Sequence, residues 1–91
     1  MVIRHDKMVT FVFRPKTACR QVYLSGTFND WSDSEDRMLR QKDGTFRKRL
    51  TLDPGQYQYK FVVDGSWCED VEADEFVHNE FGTRNAVVSV S

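Results

Sequence analysis

Two tryptophans stand where no core pattern of the sequence calls for a large apolar ring. Trp31 lies in a loop rich in Asn, Asp and Ser, and Trp67 lies on a short β run that folds back beside Lys60. An indole ring offers a flat apolar face, while a lysine offers three hydrogen-bond donors. A sugar ring matches both, because it has a patch of C–H groups and a rim of hydroxyls. The alternative is that Trp31 anchors its loop and that Trp67 covers the rim of the fold.

The turn Asp64-Gly65 decides which face of the sheet Trp67 occupies. A two-residue hairpin loop at this turn places Trp67 opposite Val62. Facing residues of a ladder share one side of the sheet, so Trp67 is predicted on the polar side that also carries Lys60. Cys68 then falls on the opposite, core-facing side, where it is expected to act as a small hydrophobe.

Asn85 is the third candidate for the same surface. It opens the last β run in phase with Ser89, whereas Ala86 and Val88 alternate onto the other side. An outward Asn85 would add an amide donor and an acceptor near the tryptophans. The alternative is that Asn85 caps a turn at the end of the preceding loop.

The elements that must position these side chains have the pattern of short β-strands. Alternating apolar residues recur between turn signals every eight to twelve residues, and no window of twelve residues shows the helical period well. The predicted strands cover residues 8–14, 21–25, 37–42, 46–52, 56–63, 66–70 and 85–90. This pattern predicts an all-β fold, an immunoglobulin-like antiparallel β-sandwich of about seven short strands that forms a single domain over residues 1–91.

Size and charge exclude several classes of protein. A chain of 91 residues that is 40% hydrophobic and 13% aromatic suits one modest core and argues against disorder. The 13 basic and 14 acidic side chains nearly cancel, unlike the basic excess of nucleic-acid binders. No apolar run approaches the roughly 18 residues that span a bilayer, and residues 1–7 show no signal-peptide pattern. We therefore expect a cytoplasmic domain with no membrane or nucleic-acid partner and with reduced thiols at Cys19 and Cys68. A single disulfide between these two cysteines, formed in an oxidising compartment, is the alternative.

The acidic stretch after Cys68 is expected to be a solvated loop. Glycoside hydrolysis needs two carboxylates at a fixed separation, one with a raised pKa, and a shallow sandwich offers little means of desolvating either. No calcium-loop pattern is present, and the two His and two Cys residues lack the spacing of a zinc site. We therefore expect no catalysis, no metal and no cofactor. The acidic residues are Asp70, Glu72, Asp74, Glu75 and Glu80.

The basic triplet Arg47-Lys48-Arg49 lies on one predicted strand. Alternation turns Arg47 and Arg49 outward and leaves Lys48 on the apolar side, where its aliphatic stem can extend along the core. A contact between the two arginines and an anion or a protein is the alternative to simple solvation.

Three segments carry the most specific signal in the chain: Val22–Trp31, Leu52–Trp67 and Gly82–Val88. In order and spacing they resemble the motifs of the glycogen-binding domain in the β subunits of AMP-activated protein kinase. That domain is part of carbohydrate-binding module family 48, which also includes N-terminal domains of glycogen branching enzymes and isoamylases. The likeness covers roughly residues 20 to 90.

The resemblance implies a non-catalytic module that binds α-1,4-glucans such as glycogen, starch or maltodextrin. In the family, two tryptophans, a lysine and an asparagine form the sugar platform, and a bulky apolar residue and a threonine contact the glucan beside it. The positions that match here are Trp31, Lys60, Trp67, Phe81, Thr83 and Asn85. Phe81 stands where the kinase-type domain commonly has leucine, so the resemblance implies an aromatic contact at this position.

Three other functions remain open for such a module. It could be the accessory domain of a branching or debranching enzyme, or a regulatory interaction module of a kinase complex. It could also be an immunoglobulin-like packing domain with no sugar site. The expected partners are therefore an α-glucan and, beside it, a glucan-metabolising enzyme or a kinase.

Overall fold

Most of the alternating runs form strands, and the strands pair into two antiparallel sheets. The computed structural model describes residues 1–91, with no α-helix and a single 3-10 turn at Thr27–Asn29. No helix in it is long and apolar enough to cross a membrane. The ten strands are β1 (Val2–His5), β2 (Met8–Phe13), β3 (Val22–Gly26), β4 (Asp36–Arg37), β5 (Leu39–Arg40), β6 (Phe46–Thr51), β7 (Gly55–Val63), β8 (Ser66–Cys68), β9 (Glu75–His78) and β10 (Arg84–Val90).

The two sheets differ in size and pack face to face as a sandwich. The smaller sheet has the order β1-β2-β6-β5, and the larger sheet has the order β4-β3-β7-β10-β9, with β8 also paired to β7. All of the pairings are antiparallel. The predicted all-β sandwich is therefore confirmed.

The core lies between the sheets and is held by aromatic contacts that cross from one to the other. Phe11 of β2 packs edge-on against Tyr59 of β7 with ring centroids 4.9 Å apart, and Phe13 packs against Phe61 at 5.0 Å. Such aromatic pairs stabilise a core beyond the area they bury. The buried cluster consists of Val9, Phe11, Val22, Leu24, Met38, Phe46, Leu52, Tyr59, Phe61, Ala86, Val88 and Val90.

Strand β7 changes its partner partway along one edge, and this change positions the site described below. Residues 55–59 pair with β10, whereas residues 61–63 pair with β8. Lys60 lies between the two pairings on that edge and faces Ser25 of β3 on the other. Strands β8 and β10 therefore lie end to end along β7.

The hairpin register agrees with the prediction from the Asp64-Gly65 turn. Val62 pairs with Trp67, and Phe61 pairs with Cys68, so Trp67 is on the outer face and Cys68 on the core side. Cys68 packs against the core but is only partly covered, and Cys19 is likewise a half-buried free thiol. Burial raises the pKa of both thiols.

The basic triplet also follows the predicted alternation. Lys48 pairs with Phe11, on the core-facing side of β6, and its ammonium lies 3.9 Å from a carboxylate oxygen of Asp36. Arg47 pairs with Val12 and Leu39 in the opposite phase.

Two strands were not predicted, and one predicted strand is divided. The edge strand β1 and the edge strand β9 both lie outside the predicted runs, and the run over residues 37–42 is replaced by the two short strands β4 and β5. Strand β9 falls within the segment predicted as an acidic loop. Strand β9 pairs only with β10 and exposes Glu75, Val77 and His78. Its sequence therefore shows little alternation between apolar and polar residues.

The expectation of a fully solvated acidic stretch is wrong for Asp70. The Asp70 side chain is 4% exposed, and its carboxylate accepts a hydrogen bond of 2.6 Å from the Tyr59 hydroxyl. A buried carboxylate needs such partners, since an unpaired one would be strongly destabilising. Burial and this hydrogen bond raise the pKa of Tyr59 far above its ordinary value.

Candidate functional site

The outer face of the larger sheet carries a groove of about 840 Å³. It lies where β8 and β10 meet along β7, between the loop after β3 and the loop before β10. All six residues predicted for the site line this groove, together with three that were not predicted for it. The nine are Trp31, Gln58, Lys60, Trp67, Asn79, Glu80, Phe81, Thr83 and Asn85.

Trp31 is presented by a tight loop that begins at Gly26. A β-carbon on Gly26 would lie 2.4 Å from the backbone oxygen of Gln58 and 2.8 Å from the Phe28 ring, so only glycine fits there. The backbone N–H of Trp31 donates to the oxygen of Gly26 at 2.8 Å. Asp30 and Trp31 both have positive φ, 54° and 59°. Such conformations are costly for non-glycine residues and persist only where the surroundings enforce them.

Hydrogen bonds of the Asn29 side chain help to hold the Trp31 loop in this conformation. Its buried side-chain oxygen accepts from the Gly26 N–H at 3.0 Å. Its amide nitrogen donates to the Leu24 oxygen at 3.0 Å and to the Asp36 carboxylate at 2.8 Å. These three bonds join the start of the Trp31 loop to its far end, which fixes the direction in which the indole points.

The two indoles are neighbours on the same face of the molecule. Their ring centroids lie 6.4 Å apart and their planes are inclined by 54°. Trp67 is 50% exposed and Trp31 is partly exposed, and neither ring belongs to the core cluster. Together they form an angled apolar surface that is open to solvent.

Lys60 supplies the positive charge at the base of the groove. Its side chain is 8% exposed, and its ammonium donates to the Thr83 hydroxyl oxygen at 2.6 Å. It forms no ion pair with a carboxylate. A buried cation with a neutral partner keeps hydrogen-bonding capacity that a ligand can use.

The loop before β10 carries Phe81 and Thr83 and is organised by Asn79. The Asn79 side chain hydrogen-bonds the backbone N–H groups of both residues, the Thr83 hydroxyl and the Asn85 amide. Phe81 is 82% exposed at the tip of the loop. Sequence reasoning missed Asn79, although an Asn three residues before Gly82 is a recognised turn signal.

An ion pair joins the two strands that flank the groove. Glu69, just after β8, accepts from the Arg84 backbone N–H at 3.0 Å and from its guanidinium at 3.1 and 3.2 Å. The Arg84 guanidinium also lies over the Phe76 ring, 4.0 Å from its centroid. The Arg84 backbone N–H, followed by its side chain, holds the pKa of Glu69 below its ordinary value.

Replacing Glu69 by Gln should remove a small contribution to stability that depends on pH. A carboxyl whose pKa is lower in the folded state stabilises the protein above its unfolded-state pKa, about 4.3, and loses that effect as the pH falls through the folded-state value. We expect the wild type to exceed Glu69→Gln in free energy of unfolding at pH 7, with the difference shrinking below about pH 4. Urea unfolding at a series of pH values measures this. Glu35→Gln, at an exposed carboxylate without an ion pair, is the control and should show no such convergence.

The comparison with known families gives a match over nearly the whole chain. The family described as the glycogen recognition site of AMP-activated protein kinase matches residues 9–91. The chain is 39% identical over 79 residues to 5'-AMP-activated protein kinase subunit beta-1 of Sus scrofa, which covers 87% of this chain and 62% of that protein. The match to the Homo sapiens subunit beta-1 has the same identity over 79 residues and covers 28% of that protein.

A plant relative and a solved structure add to this. Protein FLOURY ENDOSPERM 6, chloroplastic, of Oryza sativa subsp. japonica is 48% identical over 50 residues, which is 55% of this chain and 9% of that protein. The maltogenic amylase from S. marinus matches with a TM-score of 0.66 at 20% identity, covering 92% of this chain and 13% of that chain. At 20% identity, the similarity to the amylase structure shows the fold alone.

The matches also show how much of each related protein this chain covers. It spans less than two thirds of the length of the kinase subunits it resembles. The motifs that suggested the family from sequence, Val22–Trp31, Leu52–Trp67 and Gly82–Val88, all lie within the matched residues. The chain belongs to the family of glycogen recognition domains of AMP-activated protein kinase.

Proposed function

We propose that this chain binds α-1,4-glucans in the groove on its larger sheet and that Trp31 and Trp67 stack on neighbouring glucose units. The observation that carries the proposal is the pair of indoles 6.4 Å apart and inclined by 54°. Two inclined platforms suit a coiled α-1,4-glucan, whereas parallel platforms would suit a flat β-1,4-glucan.

The polar residues of the groove complement the hydroxyl rim of the sugar. Lys60, Thr83 and Asn85 lie beside the two rings and retain donors and acceptors that the protein does not use. Phe81, exposed on the loop before β10, supports a third apolar contact in the groove. The groove therefore offers apolar faces and hydrogen bonds together, which is the combination a glucan requires.

The expected affinity is modest because the site is open. Stacking on an aromatic platform contributes about 1–3 kcal/mol per ring by analogy with base stacking. An exposed site with two such platforms suggests dissociation constants between about 1 mM and 1 µM.

Chemical-shift mapping tests the proposal directly. Titration with maltoheptaose should move the resonances of Trp31, Lys60, Trp67 and Asn85 together with one dissociation constant. Cellohexaose, which has β-1,4 linkages, is the matched control and should move them at least about tenfold more weakly. Shifts confined to other surfaces, or equal responses to the two sugars, would refute the assignment. Maltoheptaose should be recovered intact, because we propose binding without catalysis.

The family and the relatives also support a role beside larger proteins. We propose that residues 1–91 act as one glucan-binding module that brings an associated kinase or glucan-metabolising enzyme to its polysaccharide. Two of the relatives described above are kinase subunits of which the matched segment forms only a part.

A further inference from the structure

We infer that Asn79 is a positioning residue that fixes the direction of the hydrogen bonds in the groove wall, so that the Thr83 hydroxyl donates toward the sugar. This inference rests on the proposed glucan site. It assigns to Asn79 a role in hydrogen bonding to the sugar that is separate from the stacking of the indoles.

The orientation of the Asn79 side chain is set by two hydrogen bonds from backbone N–H groups. Its Oδ1 lies 2.9 Å from the Phe81 nitrogen and 3.2 Å from the Thr83 nitrogen. Backbone N–H groups can only donate, so the side-chain atom that faces them has to be the oxygen. The other side-chain atom, Nδ2, is therefore a donor, and it faces the Thr83 hydroxyl oxygen at 2.8 Å and Asn85 Oδ1 at 3.0 Å.

The orientation of the Asn79 amide also fixes the orientations of the next two side-chain amides in the network. Asn85 accepts from Asn79 through Oδ1, so its Nδ2 is directed at Gln58, 3.1 Å from Oε1. Gln58 accepts through that oxygen and keeps both N–H donors of its own amide free of these bonds. Asn79, held by two backbone N–H groups, thus orients the side-chain amides of Asn85 and Gln58.

The Thr83 hydroxyl is the group through which this hydrogen-bond network contacts the ligand. Its hydroxyl oxygen accepts from Asn79 at 2.8 Å and from the Lys60 ammonium at 2.6 Å. These two bonds use both lone pairs of the oxygen, so the hydroxyl hydrogen has to point elsewhere. Because Thr83 is exposed and lines the groove, that hydrogen points to the ligand side. The wall then offers donors from Thr83 and Lys60, and the sugar oxygens that face it act as acceptors.

The substitution Asn79→Asp tests the direction with almost no change of shape. The introduced carboxylate can still accept from the two backbone N–H groups, but it can no longer donate to Thr83. The Thr83 hydroxyl would then donate to that carboxylate and be lost to the ligand. We expect maltoheptaose affinity to fall about tenfold. Gln41→Glu adds the same charge at the exposed turn between β5 and β6 and should change the affinity less than twofold.

A double-mutant cycle with Thr83→Val separates positioning from general damage to the loop. If Asn79 acts through the Thr83 hydroxyl, Asn79→Asp should weaken binding no more than about threefold in the Thr83→Val background. An equal loss in both backgrounds would overturn the inference, as would unchanged binding by Asn79→Asp.

A measurement on the unliganded protein keeps this test independent of the proposed function. A through-hydrogen-bond NMR coupling should connect the Thr83 backbone nitrogen to the Asn79 side-chain carbonyl carbon. Its absence in the wild type would refute the assigned direction whether or not a sugar binds. If the coupling is present but maltoheptaose fails to bind the wild type, the proposed ligand is wrong while the organisation of the wall stands.

Discussion

Alanine in place of Trp67 is expected to weaken maltoheptaose binding by about 5- to 150-fold while the protein stays folded. The indole is half exposed, and it lies outside the core cluster, so its loss removes the proposed stacking platform and little core packing. A platform contribution of about 1–3 kcal/mol sets this range. Trp31→Ala should behave in the same way. Isothermal titration calorimetry gives the affinities, and thermal unfolding checks that the fold is retained.

Leu39→Ala is the matched control for the tryptophan variants. Leu39 is 64% exposed but lies on β5 in the smaller sheet, away from the groove. Removing this exposed apolar side chain should leave the affinity unchanged within about twofold. Wild-type binding by either tryptophan variant would contradict the platform assignment.

Alanine in place of Gly26 is expected to cause the largest loss of stability among the single substitutions considered. The added β-carbon would collide with the Gln58 backbone oxygen at 2.4 Å and with the Phe28 ring at 2.8 Å. Backbone cannot move aside as a side chain can, so β3 or the Trp31 loop has to shift. We expect a loss of about 3 kcal/mol in the free energy of unfolding. Chemical denaturation measures it, and a sugar titration should show weaker binding, since this turn positions Trp31.

Gly44→Ala separates the collision from the general cost of replacing glycine. Gly44 has a φ of +86°, and a β-carbon added there would meet no atom within 4 Å beyond its chain neighbours. The alanine variant therefore introduces backbone strain only and should cost about 1–2 kcal/mol. If Gly26→Ala were no more destabilising than Gly44→Ala, close approach would not explain the glycine at position 26.

Local pattern predicted the parts of the site that depend on strand alternation. The two-residue turn at Asp64-Gly65 was enough to place Trp67 outward and Cys68 inward, because hairpin pairing fixes the side of every residue that follows. The phase of β10 likewise separated Asn85 from buried Ala86. These predictions needed no long-range information.

The missed features depend on contacts between distant segments. Strand β9 has little alternation of its own and forms because β10 offers an unpaired edge. Asp70 has the sequence context of a surface acid, and its burial becomes evident only once β7 brings the Tyr59 hydroxyl to it. Asn79 is the exception, because its partners Phe81, Thr83 and Asn85 lie within six residues of it and an Asn at a turn is a local signal.

The separation between the sandwich interior and the angled indole surface has an evolutionary consequence. Trp31, Trp67 and Phe81 all lie outside the packed cluster that holds the sheets together. Selection can therefore alter the proposed glucan contacts at these three positions while the packed core that stabilises the scaffold stays the same. A lineage that no longer needs polysaccharide could lose the rings one by one and retain the domain.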